Sequence, residues 1–177
     1  MFPHVVQWMR ITNTAPKTYD ERRLAWTVFA SPQPSDIQQG ILGDCWFVAA
    51  LSLIAQRPNL LHRLLLTQTV NSAGIYRVRI CHNGLWKIVV IDDSFPSSNG
   101  FDLVFTQAKH RQMYAPLLEK ACAKIFGSFA ALENGSLMEG LHLMTGAPCD
   151  YIDLHPSVTK LDKDLVWSQL MSACQEK

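Results

Sequence analysis

Hydrophobic residues fill nearly every position of the segment Cys45–Gln56, which predicts a helix that is buried on all sides. The following Arg57-Pro58 pair predicts the end of this helix, because the residue before a proline disfavours helical geometry. Asn59 is placed to cap a second helix over Leu60–Leu66. We expect these two helices to form the middle of the hydrophobic core.

Between Ile75 and Asp92 the hydrophobic period changes to two, the spacing of a β-strand. Asn83-Gly84 interrupts the alternation with a favoured turn dipeptide. The alternating hydrophobic residues on either side of it are Tyr76, Val78, Ile80, Trp86, Ile88 and Val90. The pattern therefore predicts a β-hairpin, followed by a loop from Asp93 to about Gly100.

Two further helices are predicted after this loop. Ala115–Phe126 has a proline in its first turn and Gly127 as a C-cap. Ser136 and Glu139 form a capping-box pattern that opens a short helix ending at Met144. Four prolines make the first 35 residues irregular, with room for only one short helical or extended segment over Tyr19–Phe29.

The stretch Thr145–Pro148 is the predicted boundary between two parts of the chain. Beyond it we expect a strand over Tyr151–Leu154 and a helix over Leu161–Cys174. Asp92 and Asp93 stand together at the end of the hairpin, where they are read as loop caps in preference to a metal-binding pair.

Composition excludes several classes of protein. The 177 residues are 48% hydrophobic and 18% charged, which is typical of a globular chain. A formal net charge of +1 gives no support for a nucleic-acid partner, and the longest apolar run is shorter than the roughly 20 residues of a membrane span. The five cysteines form no CxxC pair, and the N-terminus lacks a secretory pattern. We expect an intracellular, reducing environment.

Candidate chemistry is concentrated in the segment Gln39–Phe47. Its two glycines predict a tight loop that delivers Cys45 to the start of the buried helix, where unpaired N–H groups and the helix dipole favour a thiolate. The side-chain amide of Gln39 is placed to stabilise an oxyanion. This pattern is typical of the nucleophile side of a papain-type cysteine protease; the alternative is a cysteine that only packs in the core.

The segment Asp36–Leu51 resembles the active-site segment of calpains, the intracellular calcium-regulated cysteine proteases. Similar segments follow in the same order: Val89–Asp93, Leu118–Ser128, Glu139–Leu141 and Thr145–Cys149. The last two are similar to the small-optic-lobes branch of that family.

The resemblance implies an α+β, papain-like fold, represented mainly by its helical, Cys-bearing subdomain with a small β-hairpin. Residues 1–146 would form this first subdomain, and residues 147–177 would begin a second subdomain that carries the catalytic His and Asn. Cys45 matches the nucleophile and Gln39 the oxyanion-hole glutamine. The residues matched to the substrate cleft or the surroundings of the nucleophile are Gly43, Asp44 and Trp46.

The catalytic histidine of a papain-type enzyme is expected roughly 130–150 residues after the cysteine. His142 and His155 come nearest to this spacing, but neither has the sequence setting of the calpain histidine. We therefore expect the His and Asn of the triad beyond Lys177, and we expect this chain alone to be inactive.

Calcium binding is implied by the resemblance. The side-chain ligands match Asp36 and Glu119, and the backbone carbonyl ligands match Phe29 and Ser31. Oxygen donors of this kind suit a hard cation. From the residues alone, the commoner roles are a loop or cap residue for Asp36 and a helix-surface charge for Glu119.

The resemblance implies a calcium-regulated, cytoplasmic cysteine endopeptidase that cleaves protein substrates through an acyl-enzyme on Cys45. Its partners would be those substrates and the second protease-core subdomain. Two alternatives remain: a non-catalytic scaffold or truncated isoform, and a papain-like acyl transferase such as a transglutaminase. The GxSxG and HExxH motifs of serine and zinc hydrolases are absent from the sequence.

Overall fold

The structure is a computed structural model that describes residues 7–98, 102–152 and 162–175. It is an α+β fold of helices and two-stranded antiparallel sheets, as predicted. The strands and helices, in chain order, are β1 Gln7–Arg10, β2 Ile37–Gln38, α1 Cys45–Ala55, α2 Pro58–Leu64, β3 Ile75–His82, β4 Leu85–Asp92, β5 Ser94–Ser97, β6 Gln107–Ala108, α3 Tyr114–Phe126, α4 Leu137–Thr145 and α5 Lys163–Gln175.

Helix α1 lies in the core and packs against α2 and α4, as its apolar sequence predicts. It ends at Ala55 with Gln56 as its C-cap. The predicted cap of α2 is wrong, because the helix begins at Pro58 and Arg57 is its N-cap. A proline fits this first position because its missing N–H would have no partner within the helix.

Strands β3 and β4 form the predicted hairpin, in a register that pairs Ile75 with Asp92 and His82 with Leu85. Asn83 and Gly84 both have positive φ angles, of 53° and 73°, as a two-residue hairpin turn requires. The core-facing side chains are those of Tyr76, Val78, Ile80, Val89 and Ile91. The other apolar side chains of β4, on Leu85, Trp86, Ile88 and Val90, are 40–66% exposed. The alternation therefore identified the strand but not its buried face.

Helix α3 supplies the opposite wall of the core and packs on both strands of the hairpin. Gly127 ends it with a φ of 99°, which confirms the predicted C-cap. The predicted capping box of α4 is also confirmed: the Ser136 N–H donates to Glu139 at 2.7 Å, and the Glu139 N–H donates to the Ser136 hydroxyl at 3.2 Å.

Two segments predicted to be irregular pair with each other instead. Strand β1 runs antiparallel to β5, so that Gln7 lies opposite Ser97 and Arg10 opposite Ser94. The pairing is reinforced at one end by Arg10, which donates two 2.9 Å hydrogen bonds to the buried carboxylate of Asp93. Segments about 85 residues apart are joined by backbone hydrogen bonds, which leave no periodic signature in the sequence.

The region after α4 is described only in part. Residues 151 and 152 have no regular structure, and the rest of the predicted strand Tyr151–Leu154, like His155, lies outside the described residues. Helix α5 agrees closely with the helix predicted over Leu161–Cys174, and none of its described side chains is buried.

Candidate active site

Side chains alternate between the core and the solvent along the loop that leads into α1. Leu42, Asp44 and Trp46 are 1%, 0% and 8% exposed, whereas Gly43 and Cys45 face the solvent. The three buried residues fix the loop on both sides of Cys45. The thiol of Cys45 is therefore held at the surface, because Leu42 and Trp46 cannot leave the core without losing apolar contacts.

The first glycine of this loop allows a close backbone approach. A Cβ on Gly40 would overlap the carbonyl oxygen of Val104, and the next N–H, of Ile41, donates to that oxygen at 3.0 Å. Gly43 is less constrained, because a Cβ there would lie 3.5 Å from its nearest neighbour, the Glu133 carbonyl oxygen. The close approach predicted for the glycine loop is thus made at Gly40.

Cys45 is the first residue of α1, and its side chain is exposed. The backbone carbonyl of Asp44 accepts the N–H groups of Phe47 at 2.9 Å and Val48 at 3.1 Å, which closes the first turn of the helix. The earlier N–H groups of a helix have no partner within it, and they carry the positive end of its dipole. Cys45 therefore lies at the positive end of the α1 dipole.

Gln39 is exposed on the same loop, six residues before Cys45. Its side-chain amide donates a 2.8 Å hydrogen bond to the carbonyl of Leu42. An amide nitrogen carries two N–H groups, so this bond anchors the side chain while using one of them. The arrangement keeps Gln39 on the nucleophile loop, where its predicted role requires it.

The side chains of Trp46 and Asp44 are buried beside the nucleophile. The indole N–H of Trp46 donates to the Leu132 carbonyl at 2.8 Å, and a Cβ on Gly135 would overlap the indole ring. Their predicted place near the nucleophile holds for the backbone only, because both side chains point into the core. Their contribution is to hold the loop.

A buried pair of carboxyl groups lies behind the nucleophile loop. Glu119, in α3, is 0% exposed and adjoins Asp44. Both of its carboxyl oxygens accept the Thr106 N–H at 3.2 Å. Burial and the charge of Asp44 raise the pKa of Glu119 well above its usual range, and burial also raises the pKa of Asp44. Sequence reasoning missed this pair, since a glutamate between a leucine and a lysine in a helix gives no sign of its partner.

The predicted calcium ligands Asp36 and Glu119 each have hydrogen-bond partners within the fold. The carboxylate of Asp36 meets nitrogen donors: the backbone N–H of Gln33 at 3.1 Å, the side-chain amide of Gln112 at 3.3 Å and the ring of His110 at 3.7 Å. Glu119 accepts the Thr106 N–H and adjoins Asp44, and its pairing with Asp36 around a cation stays a prediction.

The other two predicted calcium ligands lie near Asp36 in sequence. The ring of Phe29 packs edge-on against His62, and Ser31 is exposed. Calcium takes six to eight oxygen ligands, whereas nitrogens surround the Asp36 carboxylate. Among the described residues, no three His, Cys, Asp or Glu side chains could together hold a metal ion. Calcium binding by these four residues stays a prediction from the resemblance.

Gln112 was not predicted to belong to any site. It is 2% exposed, and its amide orientation is fixed by two contacts: its oxygen accepts the Ala30 N–H at 2.9 Å, and its nitrogen donates to Asp36. It therefore links the loop before the nucleophile to the start of α3. A glutamine in a polar stretch carries no periodic signal that could have singled it out.

The predicted loop-capping role at the hairpin end is confirmed for Asp92, whose carboxylate accepts the Ser94 N–H at 2.7 Å. Asp93 instead forms the ion pair with Arg10.

The histidines within the described ranges are engaged elsewhere in the fold. His62 packs on Phe29, His82 packs on Phe126, His110 faces Asp36, and His142 contacts Cys81 and the Ala147 carbonyl. None of these contacts reaches Cys45. The described part of the chain thus presents a nucleophile and an amide without an imidazole beside them.

The sequence matches the family described as "Calpain family cysteine protease" over residues 2–177. The chain belongs to the calpain family. It is 35% identical over 175 residues to the calpain-type cysteine protease DEK1 of Arabidopsis thaliana, a match covering 97% of this chain and 8% of that protein.

Two animal calpains show similar levels of identity. Calpain clp-1 of Caenorhabditis elegans is 42% identical over 122 residues, covering 67% of this chain and 16% of clp-1. Calpain-13 of Rattus norvegicus is 39% identical over 145 residues, covering 78% of this chain and 22% of calpain-13. The chain therefore spans less than a quarter of the length of these relatives. Within the described ranges, the helices are too short or too polar to cross a membrane.

Proposed function

We propose that this chain carries the nucleophile of a cysteine endopeptidase that cleaves protein substrates. The observation that supports the proposal most directly is the exposed thiol of Cys45 at the first residue of α1, between the buried side chains of Asp44 and Trp46. Membership of the calpain family gives the same chemistry independently.

In the proposed reaction, the Cys45 sulfur attacks the carbonyl carbon of a peptide bond. The oxyanion that forms is stabilised by N–H groups at the start of α1 and by the Gln39 amide. The C–N bond breaks, the amine leaves with a proton, and a thioester remains on Cys45. Water then hydrolyses the thioester, which releases a carboxylic acid and restores the thiol.

The thiol must pass its proton to a base, and an imidazole is the usual partner. Since the described histidines contact other parts of the fold, we place the catalytic His and Asn in a second subdomain that extends beyond Lys177. Residues 1–146 would then form the first subdomain, and residues 147–177 the start of the second. Leu165, Trp167 and Leu170 on α5 are 52–66% exposed. This exposure supports the division, because apolar side chains of that size normally pack against other parts of a protein.

Several finer features stay predictions from the resemblance: calcium regulation, a cytoplasmic location, the small-optic-lobes branch and the inactivity of this chain alone. The nitrogen donors around Asp36 weigh against calcium binding by the four predicted ligands. No step of the reaction above depends on a cation.

The test is intact-mass labelling of the purified chain with an epoxide-type cysteine protease inhibitor. We expect one label per chain, lost in Cys45→Ala and kept in Cys174→Ala, which removes another exposed thiol. Labelling spread evenly over the exposed cysteines would contradict an activated Cys45. That result would mean that the thiol of this chain is not activated without the catalytic His.

A further inference from the structure

A small cavity lies between the loop that precedes α3 and the segment that precedes β2. Backbone hydrogen bonds join these two stretches: the Thr27 N–H donates to the Arg111 carbonyl at 3.0 Å, and the Met113 N–H donates to the Thr27 carbonyl at 2.9 Å. The guanidinium carbon of Arg111 lies 4.8 Å from the centre of the Trp26 ring. Trp26 and Arg111 both line the cavity, whose volume is about 30 Å³. Cys45 is not among the described lining residues.

Two buried N–H donors of these residues find no acceptor within the described part of the chain. They are the indole Nε1–H of Trp26 and the Nε–H of Arg111. The Arg111 side chain is held by its Nη2, which donates to the Thr14 carbonyl at 3.4 Å. Neither an indole N–H nor a guanidinium can accept a hydrogen bond. Since a buried donor without an acceptor destabilises a fold, the two donors indicate an occupant that accepts hydrogen bonds.

Charged side chains along the cavity favour an anion over water as this occupant. Lys17, Lys109 and Arg111 are cations, whereas Glu21 is the only carboxylate among the described lining residues. Both Glu21 oxygens already accept backbone N–H groups, from Lys17 at 2.8 Å and from His110 at 3.2 Å. The surplus of positive charge lowers the energy of an anion beside the two donors.

The volume of the cavity limits the size of the anion. A water molecule needs about 10–15 Å³ of such space, so a cavity of about 30 Å³ admits one small ion and excludes bulky organic anions. Apolar side chains form part of the wall, from Ile11, Leu103 and Pro116. They lower the local dielectric, which strengthens the attraction between the Arg111 guanidinium and a bound anion.

We propose that this cavity is a binding site for one small monovalent anion of about the size of chloride, held between the Trp26 indole N–H and the Arg111 Nε–H. The anion accepts both N–H groups and offsets the surplus positive charge of the wall. It thereby fastens the segment that contains Trp26 to the loop that precedes α3. The inference goes beyond the proposed function and does not depend on the chemistry of Cys45.

The first test is an NMR titration of the isotope-labelled wild-type chain with sodium chloride, after assignment of the indole resonances. The Trp26 indole N–H resonance should shift with chloride and reach saturation. The indole of Trp8, which is 55% exposed, is the internal control and should not show a saturable shift. Sodium gluconate at the same ionic strength should leave the Trp26 resonance in place, because gluconate is too large for the cavity. This test does not depend on the folding of any variant.

The second test is thermal unfolding in sodium chloride and in sodium gluconate of equal ionic strength. Chloride at about ten times its dissociation constant should raise the unfolding temperature of the wild type by about 3–6 °C relative to gluconate. Trp26→Phe and Arg111→Gln each remove one of the two donors and should lose most of this rise. Arg63→Gln removes a cation at an exposed position of α2 outside the cavity, and it should keep the full rise.

Two results would overturn the proposal. The first is a Trp26 indole resonance that does not respond to chloride, which would leave a water molecule as the occupant. The second is a chloride response of the unfolding temperature that is as large in Arg111→Gln as in the wild type, or as large in gluconate as in chloride. Either result would leave the inhibitor labelling of Cys45 unaffected, so this proposal and the proposed function can fail separately.

Discussion

The indole N–H of Trp46 donates a 2.8 Å hydrogen bond to the carbonyl of Leu132, 86 residues further along the chain. This bond ties the first turn of α1 to the segment before α4. Because Trp46 directly follows Cys45, the bond also restrains the backbone on the C-terminal side of Cys45.

Replacing Trp46 with phenylalanine keeps most of the apolar contact but leaves the Leu132 carbonyl without its donor. We expect the free energy of unfolding to fall by about 1–3 kcal/mol, the cost of a buried acceptor left unpaired. Urea denaturation measures the change. Trp8→Phe, at a side chain that is 55% exposed, is the control and should shift stability by less than about 0.5 kcal/mol. Equal losses in the two variants would contradict a specific role for the bond.

Gly140 allows α4 to approach α1, since a Cβ there would lie 2.6 Å from the Cβ of Ala50. Alanine normally stabilises a helix interior relative to glycine by about 1 kcal/mol. At this position we expect the opposite sign, a loss of about 1–3 kcal/mol from overpacking, measured by urea denaturation.

The double variant Gly140→Ala/Ala50→Gly moves the methyl group from one helix to the other. Its loss of unfolding free energy should be smaller than the sum of the losses in the two single variants, because the new Cβ at position 140 then meets no Cβ at position 50. Strict additivity would show that the two positions do not touch.

The raised pKa of Glu119 predicts how stability depends on pH. Above the pKa of an unfolded glutamate, the unfolded chain loses the Glu119 proton while the folded chain keeps it. The free energy of unfolding therefore falls as pH rises, until the folded pKa is passed. Urea denaturation at about pH 6 and about pH 9 should show this decline in the wild type and a smaller one in Glu119→Gln. If the unfolding free energy declined more steeply with pH in Glu119→Gln than in the wild type, Glu119 would be excluded as the source of the decline.

The surroundings of Asp36 predict how calcium sensitivity could be gained. Gln112→Glu replaces the amide donor at 3.3 Å with a second carboxylate. Without a cation the two carboxylates repel, so we expect a lower unfolding temperature in EDTA, and calcium should restore it because oxygen donors then face the ion. The wild type should respond less to calcium.

Thermal unfolding with calcium, with magnesium and in EDTA measures this effect. Gln38→Glu adds the same charge at an exposed position nearby and should show no calcium response beyond that of the wild type. An equal response of wild type and Gln112→Glu would mean that calcium binds without a second carboxylate here.

The elements that sequence predicts best are those whose signal is local. The buried helix α1, the Asn83-Gly84 turn and the capping box at Ser136 each depend on residues a few positions apart, and all three are confirmed. The pairing of β1 with β5 depends on backbone groups about 85 residues apart, which no local pattern reports.

The residues of the candidate site also differ in how well the sequence predicts their positions. Cys45 and Gln39 are recognised because loop, nucleophile and helix are contiguous in sequence. The position of Glu119 is set by how α3 packs, so the sequence could not show that its carboxyl group meets Asp44 and Thr106 rather than Asp36. The contacts of the Glu119 carboxyl group depend on where its buried helix packs.

From Leu42 to Trp46, buried and exposed side chains alternate, so the residue with the reactive thiol is not one of the residues that hold the loop. Cys45 presents its thiol to solvent, so a mutation to serine or alanine removes the nucleophile without opening a hole in the core. Its neighbours on either side tolerate no such exchange. A gene copy that encodes this domain can therefore lose the Cys45 thiol by a single codon change and still produce a stable protein.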